Sequence, residues 1–112
     1  DVQLLRIVLG NLIDNACKYS PPGSRIRIGV APCADAQLGA GIAVAVSNPP
    51  GDAGWPDADR LFGKYYRGPH AQRQTGSGLG LYLVAGLAQR LQGRVTYEPT
   101  PDSIRFRLWL PA

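Results

Sequence analysis

Several of the residues from which sites are commonly built are scarce in this chain. Its 112 residues include two cysteines and one histidine. Cys17 and Cys33 have no metal-ligand spacing, which speaks against a zinc site and leaves both as free structural thiols. The lone histidine, His70, falls in a polar stretch, where a solvated side chain is the ordinary reading. No apolar run approaches the roughly 18 residues that a membrane span needs, and no signal peptide is visible. There is no Lys/Arg-rich tract and no nucleic-acid motif. The net charge of +4 suits anionic partners such as nucleotide phosphates without requiring nucleic acid. Internal repeats and long low-complexity segments are absent. What remains is a chain that is 45% hydrophobic, enough for one soluble domain with a single core.

Residues 2–18 have the periodicity of an amphipathic helix. At about 100° per residue, Leu5, Val8, Leu9, Leu12 and Ala16 share a broad apolar face, and Asn11, Asn15 and Lys18 line an adjoining edge. "SPPGS" at 20–24 ends it through proline and glycine. "RIRIGV" at 25–30 alternates and reads as a half-solvated strand. A small-residue loop is expected over 31–40, and "GIAVAVS" at 41–47 reads as a more buried strand. Residues 48–60 form a loop rich in Pro, Gly and Asp, with a short helix expected to start near Asp57. A further helix is expected from near Leu79 to Gly93, then strands at 94–98 and 104–110 around the turn "PTPD". Locally paired strands with the helices grouped to one side predict an α+β fold, a two-layer α/β sandwich. Strict βαβ alternation is missing, which disfavours a doubly wound parallel sheet.

Three stretches could carry chemistry. "GSGLGL" at 76–81 sets glycines at every second position just before a helix, where bare backbone and unpaired N–H groups suit a phosphate. It lacks the Gly-Lys-Ser/Thr ending of a P-loop and the feeding strand of a dinucleotide fingerprint, and a flexible loop entering a helix would look similar. The polar edge of the first helix offers Asn15 as a neutral oxygen donor of the kind Mg²⁺ accepts, with Lys18 to balance phosphate charge; a solvated helix face is the plain alternative. "VSN" at 46–48 ends a buried strand on a polar residue that could accept from the amino group of a ligand base, or simply start a turn before Pro49.

Taken in order, "NLIDNACKY", "VSN", "LFGKYYRG" and "GSGLGLYLV" resemble the ATP-binding catalytic domain of sensor histidine kinases. This is the Bergerat-fold superfamily shared with type II topoisomerases, Hsp90 chaperones and mismatch-repair ATPases. The likeness runs through the closing "FRLWLP". It implies a mixed, mostly antiparallel sheet against about three helices. It further implies ATP and Mg²⁺ as cofactors, with Asn15 as the metal ligand, Lys18 on phosphate and Tyr19 packed by the nucleotide. Gly76, Ser77, Gly78, Leu79 and Gly80 correspond to the glycine stretch that flanks the ATP lid and approaches the phosphates. Phe62 and Tyr66 match the aromatic box at the other end of the lid. The lid itself would be 67–75, where Arg67 and Arg73 either reach phosphate or keep the lid soluble. The expected catalytic edge is Asn11, Asn15 and Lys18. At the Asn11 position the ATP-hydrolysing relatives carry a glutamate that activates water; a carboxamide cannot serve as general base, so phosphoryl donation to a protein acceptor is expected instead.

The resemblance has departures. The first glycine box of the family reads Asp-x-Gly-x-Gly. Gap-free spacing back from Phe62 places Asn48 at its Asp, and Pro50 and Asp52 at its glycines; a slid pairing would use Asp52 and Gly54. Asn48 can still accept through oxygen, without charge assistance. The family has a first strand before the asparagine helix, and a helical dimerisation region with the phosphoacceptor histidine; neither is in this sequence. The expectation is therefore one domain over 1–112, a fragment of a longer bacterial sensor kinase. It would work with the histidine-bearing dimerisation domain of that kinase and a response regulator. It would lie in the cytoplasm, make no membrane contact of its own and not phosphorylate itself. The rival reading is a degenerate nucleotide-binding or protein-interaction module with impaired ATP binding.

Overall fold

The computed structural model describes residues 1–51, 54–56, 61–62 and 80–112. The first helix, α1, spans Val2–Tyr19. Asp1 starts it: its Oδ1 accepts from the backbone N–H of Gln3 at 2.8 Å and of Leu4 at 3.3 Å, satisfying donors that a helix start leaves orphaned. Val8, Leu12, Ala16 and Tyr19 recur at three- and four-residue intervals and form its buried stripe. The helix ends where Ser20 turns to an extended ψ of 154° and Pro21 follows.

Strands β1 (Arg27–Asp35) and β2 (Gly39–Asn48) form an antiparallel hairpin. Asp35 organises its turn by accepting from Gln37 N at 2.7 Å and Leu38 N at 2.8 Å, and Gly39 supplies the required positive φ of +92°. The stretch 31–40, expected as a loop, is largely strand, and Cys33 lies in β1 rather than in a loop. Ladder bonds to β2 override the weak β-propensity of Ala31, Pro32 and Ala34. Pro32 is tolerated because β1 is the edge strand.

Helix α2 covers Gly80–Arg90. Gly93 N donates to Ala88 O at 2.8 Å and Gln92 N to Gln89 O at 2.9 Å, the double reverse bond of a Schellman cap. The left-handed residue in this cap is Gln92 (φ 60°), not the expected glycine. Gly93 is needed for a different reason: a Cβ there would collide with the Trp109 carbonyl oxygen. Strands β3 (Arg94–Tyr97) and β4 (Ile104–Pro111) complete a sheet of order β1-β2-β4-β3, antiparallel at every pairing. The described residues show the expected two-layer α/β sandwich with a sheet antiparallel at every pairing, and two helices where about three were expected. The helix expected near Asp57 lies outside the described residues.

Both helices pack on one face of the sheet. Val8 and Leu12 of α1 and Val84 and Ala88 of α2 meet Val46, Ile104, Phe106 and Leu108. Each large apolar side chain removed from water here contributes about 1.5–3 kcal/mol. On the opposite face Trp109 lies across Gly41, where a Cβ would stand 2.5 Å from the indole. Its Nε1 donates to Cys33 O at 3.1 Å.

Candidate functional site

The register of β2 decides where Asn48 sits. Val44 and Val46 face the helices, so Asn48, two residues on, ends the strand on that same face. It is 2% exposed, the buried polar side chain among an otherwise apolar set. Its Nδ2 donates to Pro49 O at 2.8 Å, which leaves the oxygen as the accepting end of the carboxamide.

The chain then turns back onto α1. Gly51 N donates to Tyr19 O at 2.8 Å. A Cβ at Gly51 would lie 2.9 Å from that same oxygen and 3.0 Å from Pro21 N. Gly51 is the residue that sequence reasoning missed. It stands between Pro50 and Asp52, the two positions where the family carries glycine, and brings the backbone close against the end of α1. The signal was present in "NPPGDAG", where a glycine follows two prolines.

On α1 the two asparagines occupy successive turns with different environments. Asn11 is half-buried, and its Nδ2 donates to Ile7 O in the preceding turn at 2.9 Å. The Nδ2 of Asn15 is buried and has no hydrogen-bond partner among the described residues. Leaving an amide donor in that condition costs about 1–3 kcal/mol. Lys18 is exposed in the last turn, where its charge complements the negative end of the helix dipole. With Cys17, Ser20, Ser24, Pro50 and Gly51 it lines a cleft of about 740 Å³ at the C-terminal end of α1. Tyr19 is 7% exposed and belongs to the core.

Phe62 packs on the core's rim, edge-to-face with Phe106 at a centroid distance of 6.1 Å. Among the described residues α2 begins at Gly80. Tyr66, Arg67, Arg73, Gly76, Ser77, Gly78 and Leu79 lie outside the described residues, as does His70. The structure thus brings the end of α1 and the residues after Asn48 together.

Mg²⁺ accompanying a nucleotide takes one or two protein oxygens and fills its remaining positions with phosphates and water. The donor set fits that demand. Asn15 offers a carboxamide oxygen together with an orphaned amide donor, and Lys18 offers a cation one turn away.

A four-stranded sheet with one helical layer and a buried amide at a strand end make a two-layer α/β domain. The whole chain, residues 1–112, matches the family described as "Histidine kinase-, DNA gyrase B-, and HSP90-like ATPase", and it belongs to that family. It is 42% identical over 113 residues to the swarming motility regulation sensor protein RssA of Serratia marcescens, covering 99% of this chain and 23% of that protein. To the sensor histidine kinase HprS of Escherichia coli it is 36% identical over 111 residues, covering 99% and 23%. Among solved structures, the mycobacterial sensor histidine kinase MprB superposes with a TM-score of 0.69 at 30% identity. That match covers 99% of this chain and 74% of that one. The catalytic domain of the histidine kinase ThkA gives 0.74 at 21% identity, covering 99% and 69%, a likeness of fold. The chain spans about a quarter of the length of the curated relatives it matches. No helix among the described residues is long and apolar enough to cross a membrane.

Proposed function

We propose that the chain binds Mg·ATP between α1 and the segment 67–75, and donates the γ-phosphoryl group to a histidine of a separate helical dimerisation domain. The observation that carries this reading is the buried amide nitrogen of Asn15, which has no partner among the described residues. A donor left unsatisfied inside a packed domain has a use when a ligand supplies its acceptor. In this reading Asn15 would hold the metal through its oxygen and donate a hydrogen bond from its amide nitrogen to a phosphate oxygen. Bound Mg²⁺ supplies neutralisation of phosphate charge. Lys18 adds a second positive charge at the end of α1. Asn48 accepts from the adenine amino group, and Tyr19 and Phe62 keep the nucleotide's surroundings dry. The glycines 76, 78 and 80 let backbone N–H groups close on phosphate, with Tyr66, Arg67, Arg73, Ser77 and Leu79 around them.

The reaction forms a bond between an imidazole nitrogen and phosphorus and breaks the bond from phosphorus to the bridging oxygen. ADP leaves with the electron pair, and the imidazole gives up a proton to solvent. Water is a poor competitor because Asn11 offers no base, and its amide is bonded to Ile7 O. Catalysis then rests on positioning and charge neutralisation. The histidine-bearing domain and a response regulator that receives the phosphoryl group next are the partners this reading requires, and a cytoplasmic location follows from its use of ATP. Incubating the chain with γ-labelled ATP, Mg²⁺ and a purified histidine-bearing dimerisation domain of a related kinase tests it. Acid-labile label on that domain, lost when its histidine is replaced, is the expected result. Free phosphate as the dominant product would overturn the reading.

A further inference from the structure

The face of the sheet turned away from the helices is lined by arginines. Register puts Arg27, Ser47 and Arg105 in one row across β1, β2 and β4. The next row holds Gly29, Ala45, Arg107 and Thr96. Glu98 takes the following outward position, its N–H donating to Arg105 O at 2.8 Å. Arg105 Nη2 lies 3.6 Å from Glu98 Oε1, and Arg107 Nη1 3.5 Å from Oε2. Arg105 Nε also donates to Glu98 O at 3.0 Å, and Thr96 Oγ1 to Glu98 Oε2 at 2.8 Å. Two guanidinium groups are therefore held side by side, their Cα atoms about 7 Å apart along one strand. Arg27 adds a third cation on the exposed edge, with no ion pair among the described residues. At this end of the face Arg27, Arg105 and Arg107 stand against Glu98 over a floor of Gly29, Ala45 and Ser47, too small to keep a partner at a distance; Arg94 and Asp35 share the same face further along the strands.

We propose that this surface docks an acidic protein segment, an extended peptide whose carboxylates alternate with small polar residues. Charge complementarity carries the choice. Glu98 shows that the paired guanidiniums accept a carboxylate, and carboxylates two residues apart on an extended chain repeat at the arginine spacing. Docking on an anionic bilayer is strengthened by an apolar side chain inserted beside the cations, and docking of single-stranded nucleic acid by an exposed aromatic to stack on. The large apolar residue of this face, Trp109, is 4% exposed and bonded to Cys33 O, so it serves neither.

A fluorescein-labelled peptide of alternating glutamate and serine, with a glutamine–serine twin, tests this by anisotropy. The glutamate peptide is expected to bind, to weaken as salt rises, and to bind at least about ten-fold more weakly to the Arg105→Gln/Arg107→Gln chain. Glu98→Gln, which releases both guanidiniums, is expected to tighten binding. Should the double variant fail to melt cooperatively, Arg27→Gln at the exposed edge is expected to weaken binding in a chain with unchanged melting. Failure of the glutamate peptide to bind, equal affinity in the arginine variants, or binding of phosphatidylserine vesicles or a DNA duplex in its place would overturn the proposal.

Discussion

On the outer face of the sheet Glu98, Arg105, Arg107 and Thr96 bond to one another, whereas on the helix-covered side the amide nitrogen of Asn15 is buried with no partner among the described residues. The first arrangement is closed and half-exposed, where an ion pair contributes little to stability. The second is open and desolvated, beside the apolar layer that also buries Asn48. The surface network keeps a surplus of arginine charge for a partner, whereas the buried donor calls for an acceptor from a ligand or water.

That contrast can be broken at several points. Phe106→Ala, in the core beneath the site, is expected to cost about 3–5 kcal/mol, read as a lower urea midpoint; a loss below about 1 kcal/mol would mean that the helical layer does not depend on this ring. Gly51→Ala forces a Cβ against Tyr19 O, and about 1–3 kcal/mol of destabilisation with weaker nucleotide binding is expected. A neutral effect on both would show that the contact between 51 and the end of α1 does not shape the site. Asn48→Asp restores charge to the accepting group; equal or tighter adenine binding by calorimetry is the expected outcome, and a marked loss would move the adenine contact elsewhere. Glu98→Gln opens the outer network and should change thermal stability by no more than about 1 kcal/mol, with ATP-analogue affinity unaltered.

The smallest effect concerns the hairpin turn. The backbone N–H of Leu38, then that of Gln37, then the charge of Arg94 hold the Asp35 carboxyl below its ordinary value. A depressed folded pKa contributes stability that is present above the unfolded value, near 3.9, and is lost as pH falls through the folded one. Stability followed below about pH 4 should therefore lose part of its acid slope in Asp35→Asn. An identical slope in both proteins would remove the turn from the account.

The sequence made α1, α2 and the closing hairpin legible because their periodicity and end signals agree with the final packed arrangement. The strand over 31–35 was not, since its composition of alanine and proline takes strand form only by pairing with β2. Gln92 in the left-handed cap escaped for a similar reason: Gly93 is consumed by close contact with Trp109. At the candidate site, the position of Asn15 on one edge of α1 and of Asn48 at the end of β2 followed from helical and strand patterns, while their proposed roles rest on the resemblance. The role of Gly51 was illegible, because it depends on where the carbonyl of Tyr19 ends up in space.

The measurement that bears most directly on the central claim is a titration with a fluorescent ATP analogue, with and without Mg²⁺, for the chain and for Asn15→Ala. Removing the carboxamide also removes the unsatisfied donor, so the variant is expected to melt no lower than the parent. The account predicts that Mg²⁺-dependent binding disappears while this stability is retained. Unchanged Mg²⁺-dependent affinity in the variant would contradict it.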